Sequence, residues 1–196
     1  FFRQADKAIA IYKKIEPFIM QKSNLIELNP DEYEPYYREY TEHVNSGTLI
    51  DIMSADRTEL NALFKKLTDR KASFRYAPGK WSIKEILVHC MDTEVIFNAR
   101  ALMFARGDKQ AIPGYDHEAY VMNSRADEKT LKEIKESWNL LRKSTLNMFG
   151  SFNEAELRQV GNANSYKMSV RSLIYIIPGH VLHHLGVIRE KYGVDF

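Results

Sequence analysis

A single cysteine, Cys90, is all the thiol chemistry that the 196-residue chain carries. One cysteine closes no intrachain disulfide and builds no C-x-x-C metal site, and it suits a reducing compartment, so the expected location is the cytoplasm. Proline (6) and glycine (9) are scarce, which excludes collagen-like and low-complexity classes. No apolar run approaches the roughly 18 residues that a membrane span needs; even LIYIIPG at 173–179 falls far short. No charge of one sign dominates either. The 28 Lys and Arg against 26 Asp and Glu leave +2, so there is no basic stripe for nucleic acid and no acidic tail. Nucleophile-elbow, P-loop and Rossmann glycine patterns are missing as well.

The chain does not begin with Met, so it reads as processed or as a fragment, and Met20 offers an alternative start. Residues 1–20 are no signal peptide, because Arg3, Asp6, Lys7, Lys13, Lys14 and Glu16 interrupt them.

What is present, 44% hydrophobic and 12% aromatic residues, is enough for one sizeable core. Apolar residues recur almost everywhere at helical spacing, which predicts an all-α fold. The first amphipathic piece covers about 4–22. A second helix is expected over 49–70, with Leu49, Met53, Asp56, Leu60, Leu63 and Leu67 on one stripe. Ser82 and Glu85 form a capping box that starts a third helix, running to Arg106 and stopping at Gly107. After a long connection with one short helix following Asp116, Asp127 is expected to cap a helix to Phe149, ended by Gly150. Its stripe is Leu131, Ile134, Trp138, Leu141, Thr145 and Met148. A capping box over Ser151 to Glu154 opens a short helix, residues 161–165 read as a polar loop, and Ser169 caps the last helix, to Tyr192. The expectation is a four-helix bundle with a long connection between its second and third helices. The domain boundaries are an N-terminal helical extension, 1–29, and a bundle, 30–196. Within the extension, 1–19 read as an appendage that packs through Ile9, Ile11, Tyr12, Ile15 and Phe18 and whose deletion leaves a folded core.

The seam of the last helix, Val170, Leu173, Ile177, His180, His184 and Val187, places two histidines at core positions. At i and i+4 they stand one above the other and can aim ring nitrogens at a common point. His89, on the stripe Ile86, His89, Thr93, Ile96 and Met103, can do the same from across the bundle. One buried histidine is more often hydrogen-bonded to a carbonyl than bound to metal. Three on two apolar seams favour a metal, since each neutral ring brings a donor and an acceptor that the seam cannot satisfy. Pro178 frees the Ile174 carbonyl and, with Gly179, is expected to kink the helix and open room for a cofactor or substrate; the alternative is that it merely begins the first turn of a fresh helix. His183 points off the seam, a half-buried residue or a proton shuttle; Asp92, at i+3 from His89, either orients an imidazole or is a solvated charge. These two are the candidate catalytic residues. Cys90 is about 100° around the helix from His89 and reads as core. His43 and His117 read as surface residues, and Tyr33, Tyr36, Tyr37, Tyr40 and Tyr76 as a lid.

Three segments carry a family resemblance: YAPGKWSIKE at 76–85 leading to VHCMDTE at 88–94, then ARGD at 105–108 with IPGYD at 112–116, and GHVLHH at 179–184. Together they resemble the DinB/YfiT-like superfamily of four-helix-bundle metal proteins, over about 30–193. The resemblance implies a crossover between the second and third helices. It also implies a divalent metal (Zn, Ni or Fe) held by His89, His180 and His184. The activities implied are metal-dependent hydrolysis, or transfer and isomerisation with low-molecular-weight thiols such as bacillithiol, mycothiol or glutathione. The expected function is a metal-dependent enzyme that activates a thiol or water towards a small-molecule substrate. The alternative is a non-catalytic metal-binding or stress-response bundle, which a closed metal shell with a fourth protein ligand would favour. A homodimer is a family-level expectation; nucleic-acid and membrane partners are not expected.

Overall fold

The computed structural model describes residues 25–196. The helix expected over 4–22 and the appendage contacts lie outside the described residues. A tyrosine-rich entry segment leads into short α1 (Arg38–Thr41). The second stretch is not one helix but three: α2 (Leu49–Met53), α3 (Arg57–Lys66) and α4 (Asp69–Ala72). Thr48 caps the first with a box to Asp51, and Thr68 caps the last. The helix breaks at Ser54 and again at Leu67, where the backbone becomes extended. Yet Leu49, Met53, Asp56, Leu60, Leu63 and Leu67 are all buried, because each break preserves the side of the chain that faces the core.

Helix α5 (Ile83–Ala105) starts as expected: Ser82 Oγ accepts from the Glu85 amide at 3.1 Å, and Glu85 accepts from the Ser82 amide at 2.6 Å. The long connection holds α6 (His117–Asn123), capped by Asp116, and delivers the chain to α7 (Leu131–Ser151). Thr130, with Glu133, caps α7 rather than Asp127. The Asp127 carboxylate is engaged elsewhere, accepting from Ser82 Oγ at 2.7 Å and Arg75 at 3.0 Å. Nor does Gly150 end α7, which runs to Ser151. The Ser151 hydroxyl donates back to the Met148 carbonyl at 2.7 Å, so Asn153 and Glu156 form the box over α8 (Glu154–Leu157). The polar loop is a β-hairpin, β1 (Val160–Ala163) antiparallel to β2 (Tyr166–Ser169), with Gly161 opposite Met168. Asn164 and Ser165 both have positive φ, 54° and 65°, the left-handed pair that a tight two-residue hairpin turn demands. Single bridges tie the hairpin to Tyr33 and Ile112. Ser169 then caps α9 (Val170–Tyr192), which is continuous through Pro178 and ends at left-handed Gly193.

Helix α9 packs against α5, α1 and α2, and α7 packs against α5 and α2. Two apolar clusters fill the bundle, one around Met53, Phe104, Phe149 and Leu173, the other around Leu63, Leu87, Ile134 and Leu185. Asp56 and Glu94, each 1% exposed, sit among these apolar layers with Arg142. All five guanidinium N–H groups are used: Asp56 and Glu94 take them at 2.9–3.1 Å and the Met53 carbonyl at 2.5 Å. Burial opposes the Arg142 charge, but the two carboxylates more than offset it and raise its pKa. No helix among the described residues is long and apolar enough to cross a membrane.

Candidate metal centre

Gly179 explains how the last helix meets the tyrosine segment. A Cβ there would collide with the Tyr40 backbone carbonyl, so only glycine lets α1 lie against α9 one residue before His180. The room that Pro178-Gly179 was expected to open for a ligand is thus filled by the chain itself. Tyr40 packs edge-on against His180 and His183, at 5.3 and 5.5 Å between ring centroids.

From this frame His180 and His184 project from α9 and His89 from α5. His180 Nε2 lies 3.3 Å from His89 Nε2 and 3.1 Å from His184 Nε2. One ligand nitrogen from each of the three falls within 4.8 Å of the others. With metal–nitrogen bonds of about 2.0–2.1 Å, two nitrogens on a tetrahedral or octahedral ion stand about 2.9–3.4 Å apart. The two separations from His180 therefore fit ligands of one shared cation. Protonation states fit too. Burial, reinforced by His117, pushes His89 down to about 4; burial, with His89 next, pushes His184 down to about 3. Burial likewise drives His180 well below the ordinary imidazole range. All three rings are neutral at pH 7, with lone pairs available to a metal.

The trio opens on a cavity of about 240 Å³. Its walls are Trp81, Thr93, Phe97 and Arg100 on the α5 side, Tyr36, Tyr37 and Tyr40 from the entry segment, and Tyr115, His117, Asn164 and His183. The tyrosine lid is therefore real for Tyr36, Tyr37 and Tyr40. Tyr76 is not part of it, packing instead on Tyr192 at 4.9 Å. Burial raises the Tyr37 hydroxyl to about 12 and pushes Tyr40 and Tyr115 up as well, so these phenols stay protonated. Thr93 Oγ1 and the Tyr115 hydroxyl are 2.8 Å apart.

His183 does reach the cavity, with its Nδ1 2.9 Å from Glu39 Oε1. Asp92 does not line it; its carboxyl is half-buried, and burial raises its pKa. Cys90 is buried, as expected, and His43 is exposed. His117 is not a bystander. Half-exposed at the start of α6, it borders the cavity with its ring 6.1 Å from His89. The sequence reading also passed over Glu39, Trp81, Asn164 and Arg100. For Arg100 a signal existed: it follows His89 by eleven residues, three helical turns and about 20°, hence on the same face.

No curated protein matches the chain. Among solved structures, YfiT from Bacillus subtilis, described as a probable metal-dependent hydrolase with an unusual four-helix bundle topology, is similar at a TM-score of 0.64. The match covers 86% of this chain and 95% of that one at 13% identity, a likeness of fold. The DinB superfamily model matches residues 52–188, a stretch that holds all three clustered histidines. The chain belongs to the DinB superfamily.

Proposed function

We propose that the protein is a divalent-metal-dependent enzyme in which His89, His180 and His184 hold the ion, acting on a small molecule by hydrolysis or by thiol transfer. The observation that carries the reading is three neutral imidazoles converging on the wall of an open cavity, with no fourth protein ligand grouped with them among the described residues. A structural site is closed, whereas a catalytic one keeps positions for water or substrate. The similar fold of YfiT, a probable metal-dependent hydrolase, points the same way.

A divalent ion on three neutral ligands supplies Lewis acidity, lowering the pKa of a water or thiol and polarising a substrate oxygen. The chain's own residues do the rest. His183, which lines the cavity, is the proton acceptor: Glu39 lies 2.9 Å from its Nδ1, which leaves Nε2 free to accept. Trp81, Phe97 and the tyrosine lid limit water around the reacting group.

The test begins with metal content. His89→Ala, His180→Ala and His184→Ala should each lower occupancy sharply, since each removes one of three protein bonds, and His183→Ala should not. His183→Gln should instead lower kcat with the metal retained. The metal-loaded protein is then assayed on ester and amide panels and on thiol plus electrophile pairs; turnover of the first selects hydrolysis and of the second transfer. A wild-type chain that purifies without metal and fails to bind added Zn or Ni refutes the reading.

A further inference from the structure

Among the described residues Arg100 is the one arginine in the cavity wall, and no Asp, Glu or Lys lines it. It is 4% exposed, and its Nε has no hydrogen-bond partner among the described residues. No carboxylate among them perturbs it; the groups that act on it are Tyr37, which also shares a side-chain hydrogen bond with it, and Tyr115, and burial keeps both as neutral phenols that supply no counter-charge. The Phe97 ring, 5.6 Å from the guanidinium carbon, braces the group without balancing its charge. Arg142, with five N–H bonds and two carboxylates, shows what a compensated buried arginine in this fold looks like. Burying an uncompensated cation is costly, and a fold tolerates it where a ligand supplies the counter-charge.

We propose that Arg100 seats the carboxylate of a small acidic substrate, whose reacting end lies towards His89, His180 and His184. The anion seat stands on Arg100 alone, and only the placement of the reacting end rests on the metal-dependent reading. Three considerations select a carboxylate. A guanidinium presents a planar fork that matches two carboxylate oxygens. The seat itself holds a single cationic side chain, with no second Arg or Lys lining the cavity among the described residues, which matches the single charge of a carboxylate. The cavity, about 240 Å³, lies below the roughly 300–1,000 Å³ usual for ligand pockets, which favours a compact molecule. His89 and Arg100 share a face of α5, about 16 Å apart along the axis. The arginine shortens that span, because helical side chains lean towards the N terminus. One short chain can therefore bridge the two ends.

The test compares straight-chain acids from acetate to hexanoate with their primary amides by ligand-observed NMR. It uses the full-length protein, both EDTA-treated and zinc-loaded, with inorganic phosphate as a further probe. At the best chain length the acid should bind at least about tenfold tighter than the amide, the lower end of what a charge-assisted hydrogen bond contributes. The preference should already exist in the EDTA-treated protein. Arg100→Gln should abolish it while leaving amide affinity and zinc content unchanged, and Arg100→Lys should restore part of it. Circular dichroism and the unchanged zinc content and amide affinity of Arg100→Gln show that the variant is folded, so lost acid binding cannot be ascribed to unfolding. Absence of acid binding, equal affinity for acid and amide at every length, a preference that survives Arg100→Gln, or phosphate binding tighter than every acid would overturn the proposal. An acid preference in a protein that takes up no zinc would sustain the anion seat and refute the metal reading.

Discussion

Lowering the pH separates two consequences of the same buried histidines. The depressed pKa values, about 4 for His89, about 3 for His184 and lower than the ordinary range for His180, mean that the folded protein takes up almost no protons at these rings above pH 5. A metal binding there has no protons to displace, so its affinity for the folded chain should be flat from pH 7.5 to 5.5. Three ordinary imidazoles with pKa near 6.5 would each lose about tenfold at pH 5.5, roughly a thousandfold in all. Stability behaves in the opposite manner. Each folded pKa lies below its unfolded value, so the stability in question is fully present above pH 6.5 and is lost as the pH falls towards the folded pKa, because the unfolded chain binds protons that the folded one cannot. Each ring costs about 1.4 kcal/mol per pH unit in that window, so the metal-free protein should lose roughly 4 kcal/mol between pH 7.5 and 5.5, against a total of about 5–15 for a typical domain. Chelator-competition titrations of zinc give the first quantity, and urea unfolding of the EDTA-treated protein gives the second. A zinc affinity that falls a hundredfold or more across this range, with the chain still folded by circular dichroism, would show that the three rings are ordinary solvated imidazoles and would refute the reasoning.

Three further outcomes test the packing around the centre. Arg142→Met strands Asp56 and Glu94, each 1% exposed, and should cost about 3–5 kcal/mol in urea unfolding, while adding Asp56→Leu and Glu94→Leu should recover much of the loss. Gly179→Ala should lower stability by about 1–3 kcal/mol despite alanine's better helix propensity, because the new methyl meets the Tyr40 carbonyl; an unchanged melting temperature would mean that α1 does not lie against α9. Ser165→Gly should hold or raise the melting temperature and Ser165→Val should lower it, since φ at this turn position is 65°.

The sequence was most legible where one local signal decided the outcome. Ser82 and Glu85 announce α5, Ser169 and Gly193 bracket α9, and the 3,4 spacing brings His89, His180 and His184 to one point, because each statement involves a single helix or the faces of two. It was least legible where two elements compete for one residue. Asp127 looks like a cap but is drawn to Ser82 and Arg75, and Ser151 looks like a cap but bonds back into its own helix. The hairpin at 160–169 was hidden because its turn is Asn164-Ser165, without the glycine that usually marks such a turn, and because its strands are only four residues each. Asp56 and Arg100 carry the general point. Both interrupt apolar stripes at helical spacing, and periodicity alone treats both as charges facing the core. Only the third dimension tells them apart: Asp56 meets Arg142 and becomes a structural ion pair, whereas Arg100 meets a cavity, neutral phenols and the three-histidine centre. A charged residue on a core stripe therefore poses a question about its counter-charge, and here the carboxylate that Arg100 lacks among the described residues is what defines the substrate class proposed for the site.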